Sequence, residues 1–216
     1  MISRRPILAF LTWLSVGLGP ARVWAAGTRP VAPGFRRIHG DVRINGEPAH
    51  IGRVVLPGDV ITTGEGAEAI YVMGRDAFLL RERSEVGHFA EGAVWVLRVV
   101  QGKLLSVFGP GEKSLQTPSA TIGIRGTGCY LEADPDQTYF CLCYGKAEVV
   151  PVADPSLAIR LKATYHDKPI MVSRESGQAM VSTAMVKGHR DEELIELEAL
   201  VGRRPPFMNA SYTPRY

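Results

Sequence analysis

The chain contains three cysteines, Cys129, Cys141 and Cys143, and all of them fall within one short stretch of its 216 residues. Side chains alternate between the two faces of a β-strand, so Cys141 and Cys143 share one face of their extended segment. An odd number of cysteines leaves at least one thiol outside any intramolecular disulfide. Whether Cys129 joins the other two depends on the turn at Asp134–Asp136, which links their predicted strands.

The length of that turn decides which residue lies opposite Cys129. A three-residue loop places Cys129 opposite Cys141, and a five-residue loop places it opposite Cys143. A four-residue loop places Leu142 opposite, and Cys129 then points to the other face. Odd loops therefore allow a cross-strand disulfide or a cluster of three sulfur atoms.

His166 lies just beyond the next predicted strand, within reach of the cysteines if that strand pairs nearby. Cys129, Cys141, Cys143 and His166 form a donor set that zinc or another transition metal accepts in tetrahedral geometry. The two-residue spacing typical of zinc knuckles is absent. Three interpretations stay open: buried free thiols with no cofactor, one disulfide with a leftover thiol, or a metal or redox site.

The glycine run from Gly123 to Gly128 superficially resembles a phosphate-binding loop. Such loops need a following helix and a Lys-Ser/Thr pair, whereas a strand-like segment, Cys129–Glu132, follows here. The glycines therefore predict a bulge or a close strand contact. Arg125 within the run is either a structural arginine or a contact for a binding partner.

The sequence does not support catalysis. No carboxylate pair has catalytic spacing, and the histidines lie far apart without a recognisable motif. A thiol nucleophile would need an activating base and a cleft. We therefore predict that the protein is not an enzyme.

Residues 1–25 have the pattern of a secretory signal peptide. Arg4-Arg5 precedes a short apolar run, Ile7–Leu18, and small residues follow at the cleavage position. The run is too short for a membrane span, and the arginine pair allows either general secretion or twin-arginine export to the periplasm. The whole chain has 25 Lys+Arg and 22 Asp+Glu. Removal of the predicted signal peptide takes away Arg4, Arg5 and Arg22, which leaves 22 basic and 22 acidic residues. A chain with no net positive charge is not expected to bind nucleic acid through its phosphates.

The remaining sequence predicts a mainly β fold. Residues 40–150 consist of short apolar runs separated by turn signals, which favours an irregular sandwich or solenoid-like body. The predicted turns include Asn45-Gly46 and Gln101-Gly102-Lys103, and Gly145 is predicted to end the strand that contains Cys141 and Cys143. Residues 151–204 form an extension with further strands and one helix, Asp191 to Val201, for which Asp191 is the predicted cap. Residues 205–216 are expected to form a flexible tail.

Three segments in this order resemble the FecR domain, the periplasmic module of ferric citrate regulator-like proteins. They are Gly58–Gly74, Val96–Phe108 and Thr117–Val150, and the most specific element is the Thr-Pro…Gly-Ile-Arg-Gly-Thr run. Relatives carry a cytoplasmic anti-sigma region and a transmembrane helix before this domain, which receives a signal from a TonB-dependent receptor. Here only the predicted signal peptide precedes it.

The resemblance implies a freely periplasmic, non-catalytic binding or signalling module. Its partner would be an envelope protein or polymer, and no stable membrane span would remain after signal cleavage. The alternative function is a metal-binding or redox protein that uses the three cysteines together with His166. The ligand, the pathway and the oligomeric state are not predicted.

Overall fold

The computed structural model describes residues 29–167, 169–175, 180–208 and 212–213. The predicted signal peptide, residues 1–25, lies outside the described residues. Within the described part of the chain, no helix has both the length and the apolar character needed to cross a membrane.

Fourteen strands, one α-helix and a short 3-10 helix, Pro155–Leu157, make up the regular structure of the described residues. The strands are β1 Gly34–His39, β2 Val42–Ile44, β3 Glu47–Pro48, β4 Val60–Thr63, β5 Glu68–Met73, β6 Asp76–Leu80, β7 Glu85–Glu91, β8 Val94–Val107, β9 Glu112–Gln116, β10 Ala120–Ala133, β11 Gln137–Pro151, β12 Ile159–Ala163, β13 Ile170–Ser173 and β14 Val181–Thr183. The helix, α1, is Asp191–Leu200. The expectation of a mainly β fold with one short C-terminal helix is confirmed.

The strands form one open, branched sheet whose centre is the long hairpin of β10 and β11. One half of β10 pairs with β8 and the other half with β9, while β11 pairs with β13 near the hairpin turn and with β12 farther away. The strands of residues 151–204 therefore extend the same sheet as the strands before them. Asn45 and Gly46 form the expected tight turn between β2 and β3, both with positive φ.

Two segments expected to be turns instead lie within long strands. Gly102 was expected to separate two strands, but β8 continues through it. Its φ of 104° bends the strand where Ser84 packs against the backbone, at a position where a Cβ atom would lie 2.1 Å from the Ser84 hydroxyl. In the same way β10 begins before the glycine run, and β11 passes through Gly145 rather than ending there.

The glycine run provides the bulge and the close contact that were expected. The register of β10 against β11 shifts between Arg125 and Gly128. At Gly128 the Tyr144 ring lies so near that a Cβ atom would be 2.4 Å from it. Any larger residue at this position would clash with the Tyr144 ring and displace it.

The hairpin turn has the four-residue length. Ala133 pairs with Thr138, and Cys129 pairs with Leu142. The Asp134 side chain accepts hydrogen bonds from the backbone N–H groups of Asp136 and Gln137, which closes the turn. Cys129 consequently points to the face opposite Cys141 and Cys143.

Two apolar cores lie on the two faces of this hairpin. The first core contains Cys129, and the second contains Cys141 and Cys143. Members of the first core include Phe35, Tyr71, Phe78, Leu104, Leu131 and Phe140. Members of the second core include Ile70, Val72, Leu79, Leu105, Tyr139, Leu194, Leu197 and Phe207. Helix α1 thus covers the second core, and Phe207, within the expected loose tail, is buried in it.

Candidate metal centre

The central strand β11 presents two thiols side by side to the second core. Cys141 and Cys143 are both fully buried, and neither forms a disulfide. Their common orientation follows from strand alternation alone. Cys129 is also a free, buried thiol, so the single-disulfide interpretation does not describe this structure.

His166 reaches the thiols from the turn after β12. Its φ of 47° lies in the left-handed region, which is uncommon for a residue other than glycine. The backbone N–H of His166 donates to the Cys143 carbonyl at 2.9 Å, and Asp167 accepts from the Thr164 N–H at 2.7 Å. These bonds hold the turn in a conformation that directs the imidazole inward.

His189 comes from the segment immediately before α1. Its ring stacks on Tyr130, with the ring centroids 4.8 Å apart. Gly188 permits this approach, because its φ is 75° and a Cβ atom there would lie 2.4 Å from the Tyr130 hydroxyl. A side chain at position 188 would therefore clash with Tyr130, the ring on which the His189 imidazole stacks.

The four side chains converge on one point. The ligand atoms of Cys141, Cys143, His166 and His189 all lie within 4.8 Å of one another, and all four residues are buried. Cys143 Sγ is 3.4 Å from His189 Nε2, and Cys141 Sγ is 3.8 Å from His166 Nδ1. Two thiols and two imidazoles are one of the donor sets of closed, structural zinc sites.

The outer nitrogen of each imidazole has a partner outside the cluster, so the inner nitrogen is directed at the cluster. His189 Nδ1 donates to the Lys187 carbonyl at 2.8 Å, because a carbonyl can only accept. His166 Nε2 lies 3.0 Å from the Asp191 carboxylate. Because both outer nitrogens donate, each inner nitrogen carries a lone pair. The two inner nitrogens, His166 Nδ1 and His189 Nε2, lie 3.0 Å apart. A proton or a metal cation bound between them removes the repulsion of the two lone pairs.

Asp191 was predicted to cap the helix, but its side chain supports the centre instead. The carboxylate is fully buried and accepts hydrogen bonds from the hydroxyls of Tyr165 and Tyr212 in addition to the His166 contact. These three partners draw the side chain toward the cluster, and the Arg190 N–H is satisfied by Glu193. A carboxylate behind a ligating histidine is a common support in metal sites.

The surroundings of Cys141 and Cys143 shift the pKa values of the two thiols in opposite directions. Hydrogen bonding with Cys143 is the main cause that lowers the pKa of Cys141 below its usual range, and the two histidines add to this against the effect of burial. Burial raises the pKa of Cys143 well above its usual value. One sulfur is thus ready to bind a cation as a thiolate, and an ion would deprotonate the second.

The structure brings together three of the four predicted metal-ligating residues. Cys141, Cys143 and His166 are in the cluster, whereas Cys129 lies in the first core, where Ser106 Oγ is 3.6 Å from its sulfur. His189 takes the fourth place, and sequence reasoning missed it because 46 residues separate it from Cys143. The one local signal in the sequence was Gly188, next to His189, because a glycine there indicates that another group lies close to the backbone.

Arg125 belongs to a different surface from this centre. It is exposed on β10 and forms an ion pair with Glu112 on β9. Across the sheet it is in register with Lys146, which is in register with Lys162 on β12. Three basic side chains therefore form one row on an exposed face.

Comparisons with known proteins show a likeness in fold. A crystal structure of a protein described as a "putative anti-sigma factor" from Parabacteroides distasonis matches with a TM-score of 0.50 and 14% identity, covering 64% of each chain. A second crystal structure with the same description has a TM-score of 0.49 and 14% identity, covering 58% of each chain. The present chain thus spans less than two thirds of either solved chain. No family model matches, and no curated protein matches.

Proposed function

We propose that this chain is a non-catalytic module that binds one transition metal ion, most favourably zinc, on Cys141, Cys143, His166 and His189. The observation that carries this proposal is the convergence of four buried ligand atoms within 4.8 Å. Two thiolates and two neutral imidazoles match the tetrahedral preference of Zn²⁺. The hydrogen bonds from the outer imidazole nitrogens orient the rings as ligands.

A closed site of this composition is structural or regulatory in character. All four coordination positions of a tetrahedral ion would be taken by protein side chains, so no position would remain for a substrate or an activated water. This supports a role in holding the ion or responding to it. Redox chemistry at the thiols would compete with metal binding in an oxidising compartment.

Metal analysis of the mature chain tests this function. We expect stoichiometric zinc in protein purified without chelators, and a cobalt-substituted form with the absorption bands of tetrahedral thiolate ligation. Cys143→Ser should lose the metal. Cys129→Ser is the matched control, because it removes a buried thiol from the same hairpin and should retain full occupancy. Metal-free protein that binds neither zinc nor cobalt would refute the proposal.

The second candidate function is a FecR-like, periplasmic signalling module with an envelope protein or polymer as its partner. The fold shared with the anti-sigma structure of TM-score 0.50 supports a regulatory protein of this kind. The signal-peptide pattern in the sequence of residues 1–25 supports export. The row of Arg125, Lys146 and Lys162 favours an anionic group on the partner, because like charges opposite one another cost stability without a ligand.

Cross-linking and capture from envelope extract test the second candidate. Arg125→Ala should reduce recovery of the partner. Arg83→Ala is a matched control, since Arg83 is an arginine of similar exposure that is also ion-paired with a glutamate. Equal recovery with both variants would remove Arg125 from the interface.

A further inference from the structure

The metal ligands are distributed so that one ion connects three separate parts of the chain. Cys141 and Cys143 belong to the central strand β11, whereas His166 follows β12 and His189 precedes α1. Both imidazoles lie in the C-terminal extension, 23 residues apart. An ion bound by all four side chains therefore fastens the extension to the middle of the sheet.

Both histidines are also connected directly to the first turn of α1. His189 stands two residues before Asp191, the first residue of the helix. His166 contacts the Asp191 carboxylate at 3.0 Å. The metal centre is therefore in direct contact with the start of the helix.

The helix depends on its contacts with the rest of the chain for its stability. It is ten residues long, and isolated helices of that length are marginal in water. Leu194 and Leu197 are its fully buried anchors. Glu193 forms an ion pair with Arg81 at 2.8 Å, and Glu198 accepts a hydrogen bond from the buried Tyr144 hydroxyl. The ion pair between Arg37 and Glu196 is exposed, and such pairs contribute little.

We propose that metal binding at this centre controls the docking of α1 on the sheet, an inference that rests on the proposed metal-binding function. Without the ion, nothing joins the two imidazoles of the extension to the two thiols of β11 with the strength of coordination, and the docked arrangement is disfavoured. Release of α1 uncovers apolar side chains of β6 and β8, which the helix contacts. The bound ion thus favours the state in which α1 covers the second core, and its removal favours the state in which that core is exposed.

Hydrogen exchange measured by mass spectrometry tests this inference on the mature chain. We expect the amides of Asp191–Leu200 to exchange at least ~10-fold faster after chelation, and zinc addition to restore their protection. The amides of β4 and β7, in the first core, should accelerate less than those of α1, because they exchange only when the whole domain unfolds. Cys129→Ser should respond to chelation like the unaltered chain, and Cys143→Ser should exchange rapidly with or without zinc.

The possible outcomes distinguish metal-controlled docking of α1 from metal binding itself. Stoichiometric zinc whose removal leaves helix exchange unchanged would overturn metal-controlled docking and leave metal binding intact. Equal acceleration in α1, β4 and β7 would also overturn it, because the ion would then act on global stability alone. Failure to bind zinc would remove both proposals. If Cys143→Ser does not fold, reversible chelation of the unaltered chain still decides the question.

Discussion

The two cores on either side of the β10–β11 hairpin both contain a fully buried cysteine and a buried histidine, yet their chemistry differs. In the first core, burial raises the pKa of Cys129 to about 12 and lowers the pKa of His88 to about 3. Both groups are therefore neutral at physiological pH. Each has one hydroxyl neighbour, from Ser106 and Tyr71 respectively.

The second core places the same residue types against one another. Cys141 and Cys143 contact the imidazoles of His166 and His189, and Asp191 adds a carboxylate behind them. Burial is equally complete on both sides, so burial alone does not make a thiol inert. The neighbours decide whether a buried sulfur is a small apolar group or a metal ligand.

Removal of the metal should have the largest effect on this comparison. We expect chelation to lower the free energy of unfolding by about 4 kcal/mol or more, because an ion present at a thousand times its dissociation constant contributes that amount. Urea titrations with and without chelator measure the loss. Cys129→Ser should show the same loss on chelation, whereas Cys143→Ser should show none.

Acid should weaken the first core through His88. The unfolded histidine binds a proton near pH 6.5, and the folded one only near pH 3, so the unfolded state takes up the proton first as the pH falls. The contribution of neutral His88 to the free energy of unfolding is fully present above pH 6.5. Between pH 6.5 and about pH 3 it is lost, at up to about 1.4 kcal/mol per pH unit.

Unfolding titrations in chelator from pH 7 downward measure this slope. His88→Gln keeps a polar end for Tyr71 and should flatten the pH dependence. His50→Gln is the control, because His50 is exposed. A slope that His88→Gln leaves unchanged would contradict the assignment.

Loss of the supporting carboxylate should weaken the metal site without abolishing it. We expect Asp191→Asn to reduce zinc affinity by about 10–100-fold, as removal of such supports does elsewhere. Competition with a chromophoric chelator measures the affinity. Glu192→Gln alters the neighbouring, exposed carboxylate and should leave the affinity unchanged; an equal decrease in both variants would indicate only a charge effect.

The smallest effect should come from the inert thiol. Cys129→Ala removes one buried sulfur and its contact with Ser106, and we expect a loss of about 1–2 kcal/mol in unfolding free energy. Zinc content should stay the same. Reduced zinc content in a folded Cys129→Ala protein would place Cys129 in the metal site and break the distinction between the cores.

Much of the fold could be predicted from local pattern. The strand-rich composition, the Asn45-Gly46 turn and the helix from Asp191 were visible because they depend on neighbouring residues. Gly102 and Gly145 misled the prediction, since a glycine that ends one strand and a glycine that bends a continuous strand look alike in sequence. Packing of Ser84 against Gly102 distinguishes the two cases.

The candidate site was predicted only in part, because some of its features depend on local pattern and others on tertiary packing. Strand alternation by itself placed Cys141 and Cys143 on one face. One residue in the length of the hairpin turn decided the face of Cys129, and the sequence allowed three lengths. The recruitment of His189 and Asp191 depended on how the extension folds back over the sheet. Residues so far apart meet only when their elements dock, and packing, not local preference, determines that docking.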